Sequence, residues 1–104
     1  MSHPLVVHCK RAAFDVYVGR GAGALYGNPW VLGPDGTRDE VCDRYEAWLR
    51  TGRDFGHPEA TEARRQAILT SLPELKGKVL GCFCSPLRCH GDTLQALIAE
   101  LPST

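Results

Sequence analysis

The chain's 104 residues, 43% hydrophobic and 23% charged, suffice for one domain over residues 1–104 with a modest core. Twelve Lys and Arg balance twelve Asp and Glu, so no overall field draws the chain to duplex DNA or to an anionic membrane, although a local basic patch stays open. The N-terminus has no charged-then-apolar leader pattern and no apolar run nears ~18 residues, so a cytoplasmic protein without a membrane segment is expected.

Leu5-Val6-Val7 is a short apolar run that reads as a first strand ending near Cys9. Asp15 to Arg20 is a second, rich in β-branched and aromatic residues. Residues 19–36 hold many glycines and two prolines, a long loop of the kind that often carries function in a small domain. Thr37 to Gly52 reads as a helix. Thr37 and Glu40 form a capping box, Val41, Tyr45, Trp48 and Leu49 make one apolar stripe, and Gly52 is the stop. A second helix is predicted from near Pro58 to about Leu72, ended by Pro73. Lys78 to Cys84 is a third strand without polar alternation, as in a strand buried on both faces. The last helix opens around Cys89 to Asp92 and runs to Leu101.

The order β-β-α-α-β-α with buried strands predicts a small three-layer α/β domain with a short, mostly parallel sheet. Ligands of such sheets sit beyond the carboxyl ends of the strands. If the second and third strands are parallel neighbours, the loops after Arg20 and after Cys84 open onto one crevice.

Both loops carry reactive or polar residues. Five cysteines without a secretion signal point to thiols, metal ligands or a nucleophile before a disulfide framework. Three of them fall in Gly81-Cys82-Phe83-Cys84-Ser85-Pro86-Leu87-Arg88-Cys89-His90-Gly91-Asp92. Cys89 sits where a helix N-terminus favours a reactive thiol; buried packing is its other reading. His90 reads as a general acid or base beside it, or as a structural histidine. Asp92 reads as an orienter of His90 or, with more weight, as a helix cap. Cys82, Cys84, Cys89 and His90 together are four ligands of the type zinc prefers, at an uncommon spacing. In the glycine-rich loop, Arg20 could hold a phosphate or carboxylate with the backbone of Gly21 close by, and Asn28 could bond a base or ribose edge. Trp30 or Tyr26 could stack on that base, or Trp30 could pack in the core. Cys84 borders the same crevice, and Arg88 is a second anion holder. Arg38, Arg44, Arg50, Arg64 and Arg65 read as solvated helix faces.

The Val16-Tyr17-Val18-Gly19-Arg20 strand, the Gly27-Asn28-Pro29-Trp30 segment, the Tyr45 and Trp48 helix and the block from Gly81 to Asp92 resemble domain of unknown function 4326, a family of bacteria and their phages. The Cys-His after a buried strand is also similar, more loosely, to domain of unknown function 488, with Gly91 where that family has Arg. The resemblance implies a Rossmann-like domain and places Arg20, Asn28, Cys82, Cys84, Cys89, His90 and Asp92 at family motif positions. It implies no activity. Three functions follow from the residues. The first is a protein that binds or processes a nucleotide-like or other anionic ligand in the crevice, with Cys89, His90 and Asp92 as candidate catalytic residues. The second is a non-catalytic, zinc-stabilised module contacting nucleic acid or protein. The third is an accessory protein whose cysteines only pack.

Overall fold

The structure is a computed structural model that describes residues 6–20, 24–83 and 87–101. Three strands, β1 (Val6–His8), β2 (Val16–Tyr17) and β3 (Leu80–Cys82), form one parallel sheet in the order β1-β3-β2. In register, Val6 and Val16 flank Leu80, and Val7 and Tyr17 flank Gly81. The strand without polar alternation is thus the central one, where the ladder covers both edges and Leu80 and Cys82 are buried.

The described residues also form three α-helices: α1 (Arg38–Thr51), α2 (Glu62–Ser71) and α3 (His90–Ala99). Thr37 and Glu40 form the capping box of α1, with Glu40 N–H donating to Thr37 Oγ1 at 3.2 Å and Thr37 N–H donating to Glu40 Oε1 at 2.8 Å. Gly52 ends the helix in the left-handed region at φ 84°. Helix α2 starts later than Pro58 because Thr61 is its cap, accepting the Arg64 N–H. Pro73 does not stop the chain turning. It sits in the first turn of a 3₁₀ segment, Leu72–Leu75, where a missing N–H costs no helical bond.

The helix on the sheet is α3, and α1 packs across α3. Gly91 of α3 lies against Val6 and Val18, so close that a Cβ there would fall 3.0 Å from Val6 Cγ1. These residues and Leu80 face a core built on Tyr45, Trp48, Leu49, Ile68 and Leu94. Successive strand residues alternate faces, so Gly81 and Tyr17 point the other way. There no helix lies among the described residues. The Phe14 ring rests on Gly81, where a Cβ would fall 2.6 Å from Phe14 Cγ. Tyr17 and Phe83 continue that aromatic cover, their rings 6.1 Å apart. Among the described residues the helical third layer expected from the sequence is absent, and that face of the sheet carries these rings instead. The described chain is a mixed α/β fold with three helices and a three-stranded parallel sheet. None of its helices is long and apolar enough to cross a membrane.

Candidate functional site

Because β2 and β3 are parallel neighbours, the chain leaves both at the same end of the sheet. The loop after β2 and the loop after β3 face each other there across a cleft of about 350 Å3. Its walls are mainly apolar, from Tyr17, Leu32, Val41 and Phe83, and its polar groups come from Arg20, Arg38, Arg88 and His90. The crevice expected from the topology is present, with Arg20, Asn28, Arg88, Cys89 and His90 on it. Gly21 and Cys84 lie outside the described residues.

The glycine-rich loop is held by its own arginine. Arg20 Nε donates to Asn28 O at 2.9 Å and Nη2 to Trp30 O at 2.8 Å, closing the loop on its base. Gly27 permits that closure, since a Cβ there would lie 3.1 Å from the Arg20 Cα and the Gly19 carbonyl. Asn28 is 4% exposed and its side chain is used at both ends. Its Nδ2 donates to Val41 O and its Oδ1 accepts the Trp30 N–H, each at 3.0 Å. Asn28 borders the cleft as a brace between loop and α1 and has little left for a ligand. Trp30 is not the stacking platform expected of it. Its ring is 3% exposed and packs edge-on against Trp48, Phe55 and His57, away from the cleft. The rings that do line the cleft are Tyr17 and Phe83, the latter 53% exposed. Tyr26 is also committed, its hydroxyl 2.6 Å from Ser71 Oγ.

The three arginines on the cleft differ in charge balance. Arg88 binds Asp39 Oδ1 at 3.0 Å and Asp43 Oδ1 at 2.8 Å on α1, so its charge is largely compensated. These two carboxylates hold its guanidinium firmly protonated. Arg38 donates to the Arg88 carbonyl at 3.2 Å, and Arg20 is held by carbonyls alone. Among the described residues neither has a carboxylate partner, which leaves two positive charges on the cleft wall. From the sequence Arg38 reads as part of a solvated helix face, whereas the structure sets it on the cleft. Its position in the first turn of α1 gives no sign, in sequence, that the turn abuts the loop after β3. Arg64 and Arg65 are likewise not simply solvated. Arg64 donates to the Leu25 and Gly27 carbonyls and Arg65 to the Leu49 carbonyl, while Arg50 does pair at the surface with Glu46 and Glu100.

The family model for Domain of unknown function (DUF4326) matches residues 7–100. The chain belongs to this family. An uncharacterized 12.4 kDa protein of the nrdA-td intergenic region of Enterobacteria phage T4 is 31% identical over 97 residues, covering 92% of this chain and 78% of that protein. Uncharacterized protein R718 of Acanthamoeba polyphaga mimivirus is 27% identical over 116 residues, covering 90% of this chain and 78% of that protein. No solved structure matches.

The DUF4326 floor of the cleft is the strand-to-helix turn. Cys89 is the N-cap of α3, 2% exposed, with Sγ accepting the Gly91 N–H at 3.2 Å and its own N–H donating to Asp92 Oδ2 at 3.1 Å. Asp92 thus completes the capping box that Cys89 opens, in line with its reading from sequence as a helix-capping residue. Cys82 Sγ lies 3.0 Å from Cys89 Sγ. Two thiolates on one tetrahedral zinc stand about 3.8 Å apart, so this spacing is tighter than a zinc pair. His90 is turned to the sheet, where Nε2 donates to the Val18 carbonyl. That fixes the proton on Nε2 and leaves Nδ1 as an acceptor. Burial lowers its pKa to about 4, against a smaller opposite effect of the Val18 bond, so the ring is neutral at pH 7. Among the described residues no three His, Cys, Asp or Glu groups converge to hold a metal. Cys42, in α1, also reaches the cleft, its Sγ 3.9 Å from the Arg88 carbonyl.

Proposed function

We propose that the cleft binds a small anionic ligand with a flat apolar body, and that a nucleotide is the class that fits it best. The observation that carries this reading is the placing of Arg20 and Arg38, both without carboxylate partners among the described residues, beside the half-buried ring of Tyr17 and the exposed ring of Phe83. A guanidinium offers bidentate bonds to a phosphate, and an aromatic face offers stacking to a base. The volume of about 350 Å3 is within the range of about 300–1,000 Å3 usual for small-molecule sites. A cleft beyond the carboxyl ends of parallel strands is also where Rossmann-like domains take nucleotides. Arg88 contributes less than expected from the sequence, because Asp39 and Asp43 already hold it.

Processing of the bound ligand would fall to Cys89, the reactive atom left at the cleft floor once Asp92 is used as a cap and His90 is held neutral. Calorimetric titration with nucleoside mono- and diphosphates against the parent nucleosides tests the binding. Saturable binding of a phosphorylated member, at least tenfold weaker in Arg38→Ala, supports it. Equal response to nucleoside and nucleotide, or none to any member, removes it. Cys89→Ser retaining full turnover of a ligand so found would remove the nucleophile role alone.

A further inference from the structure

Cys82 and Cys89 are seven residues apart, yet the turn from β3 into α3 brings their sulfur atoms to 3.0 Å. Neither is in a disulfide. A disulfide bond is about 2.05 Å long, so roughly 1 Å of closure separates the pair from bonding. The two sulfurs are not equivalent. Cys82 is 1% exposed at the end of the central strand, facing the core, whereas Cys89 lines the cleft and its Sγ accepts the Gly91 N–H. One thiol is thus placed to meet a small reagent entering the cleft, and the other directly behind it.

We propose that Cys82 and Cys89 form a redox pair: Cys89 is oxidised by a hydroperoxide entering the cleft, and Cys82 resolves it as an intramolecular disulfide. In the first step the Cys89 thiolate attacks the outer peroxide oxygen. The S–O bond forms, the O–O bond breaks, and the alkoxide or hydroxide released takes a proton to leave as alcohol or water. In the second step Cys82 sulfur attacks the Cys89 sulfenic acid. The S–S bond forms, and the hydroxyl leaves with the Cys82 proton as water. Two thiols are oxidised and one hydroperoxide is reduced. The new bond draws Cys89 Sγ off the Gly91 N–H and so alters the cap of α3 at the cleft floor. The inference stands on the sulfur geometry and does not need the ligand reading.

The test is wild-type protein treated with a fewfold excess of hydrogen peroxide, alkylated under denaturing conditions, and weighed intact. The expected result is a loss of 2 Da with three of the five cysteines still alkylated. Tryptic cleavage after Lys78 and Arg88 separates the partners, and the cross-link should join the peptide bearing Cys82 to the one bearing Cys89. Cys84→Ser should leave the cross-link intact. Cys82→Ala should stop at a sulfenic acid on Cys89, captured by dimedone. Five thiols still alkylated after peroxide, a cross-link lost in Cys84→Ser, or a link from Cys89 to Cys42 or Cys9 would each overturn the proposal; the wild-type measurement depends on no variant folding.

Discussion

His90 makes the stability of this fold depend on pH in a defined window. Its ring is buried, with Nε2 given to the Val18 carbonyl, and its pKa in the folded protein falls to about 4. In the unfolded chain the ordinary value is about 6.5. Between those values the unfolded state binds the extra proton, so unfolding is favoured as the pH drops. The stabilisation is complete above about pH 6.5 and is lost as the pH falls toward 4. At about 1.4 kcal/mol per pH unit the whole loss is about 3 kcal/mol, of which about 2 kcal/mol falls between pH 7.5 and 5. Glu40, Glu62 and Glu100 also have lowered pKa values, from hydrogen bonds to Thr37, Gln66 and Arg50 respectively. Their contributions are lost below about pH 4.5, so the window from 7.5 to 5 belongs to histidine. Urea unfolding followed by tryptophan fluorescence at pH 7.5 and 5.0, in wild type and His90→Gln, gives the contrast. The wild type should lose about 2 kcal/mol more than the variant over that window. Parallel losses in the two proteins, or a His90 ring that titrates near 6.5 by NMR, would refute the reasoning.

Three further outcomes follow from single contacts. Gly81→Ala should destabilise by about 1–3 kcal/mol, because its Cβ would fall 2.6 Å from Phe14 Cγ; adding Phe14→Ala should recover part of that loss in a double-mutant cycle of urea midpoints. Asp92→Ala removes the acceptor for the Cys89 N–H and should cost about 1 kcal/mol in the same assay. Arg38→Ala should change the urea midpoint little, since Arg38 contributes one carbonyl hydrogen bond, while weakening nucleotide binding at least tenfold by calorimetry.

Much of this arrangement is local chemistry and so is written in the sequence. The capping box of Thr37 and Glu40, the stop at Gly52 and the unalternating run at Leu80 to Cys82 each depend on neighbours within a few residues. The parallel order of β2 and β3 then follows from topology, and with it the meeting of the two loops. Side-chain direction is another matter. Trp30 could equally stack on a ligand or fill the core until Trp48, from another element, is placed beside it. Arg38 looked like any arginine on a helix face, and only the packing of α1 against the loop after β3 brings it to the cleft. Phe14 and Tyr17 on the open sheet face could not be told from a buried third layer, because strands covered by rings and strands covered by helices have similar apolar patterns.

The most direct measurement of the cleft's role is a ¹⁵N-resolved NMR titration of the protein with a mononucleotide and, separately, with its nucleoside. The expected result is a saturable set of shifts at Gly19, Arg20, Phe83, Arg88, Cys89 and His90, and at the Arg38 side chain, seen with the nucleotide and much weaker with the nucleoside. Shifts confined to Phe14 and Gly81, outside the cleft, or no shifts across the panel of bases at millimolar concentration, would contradict it.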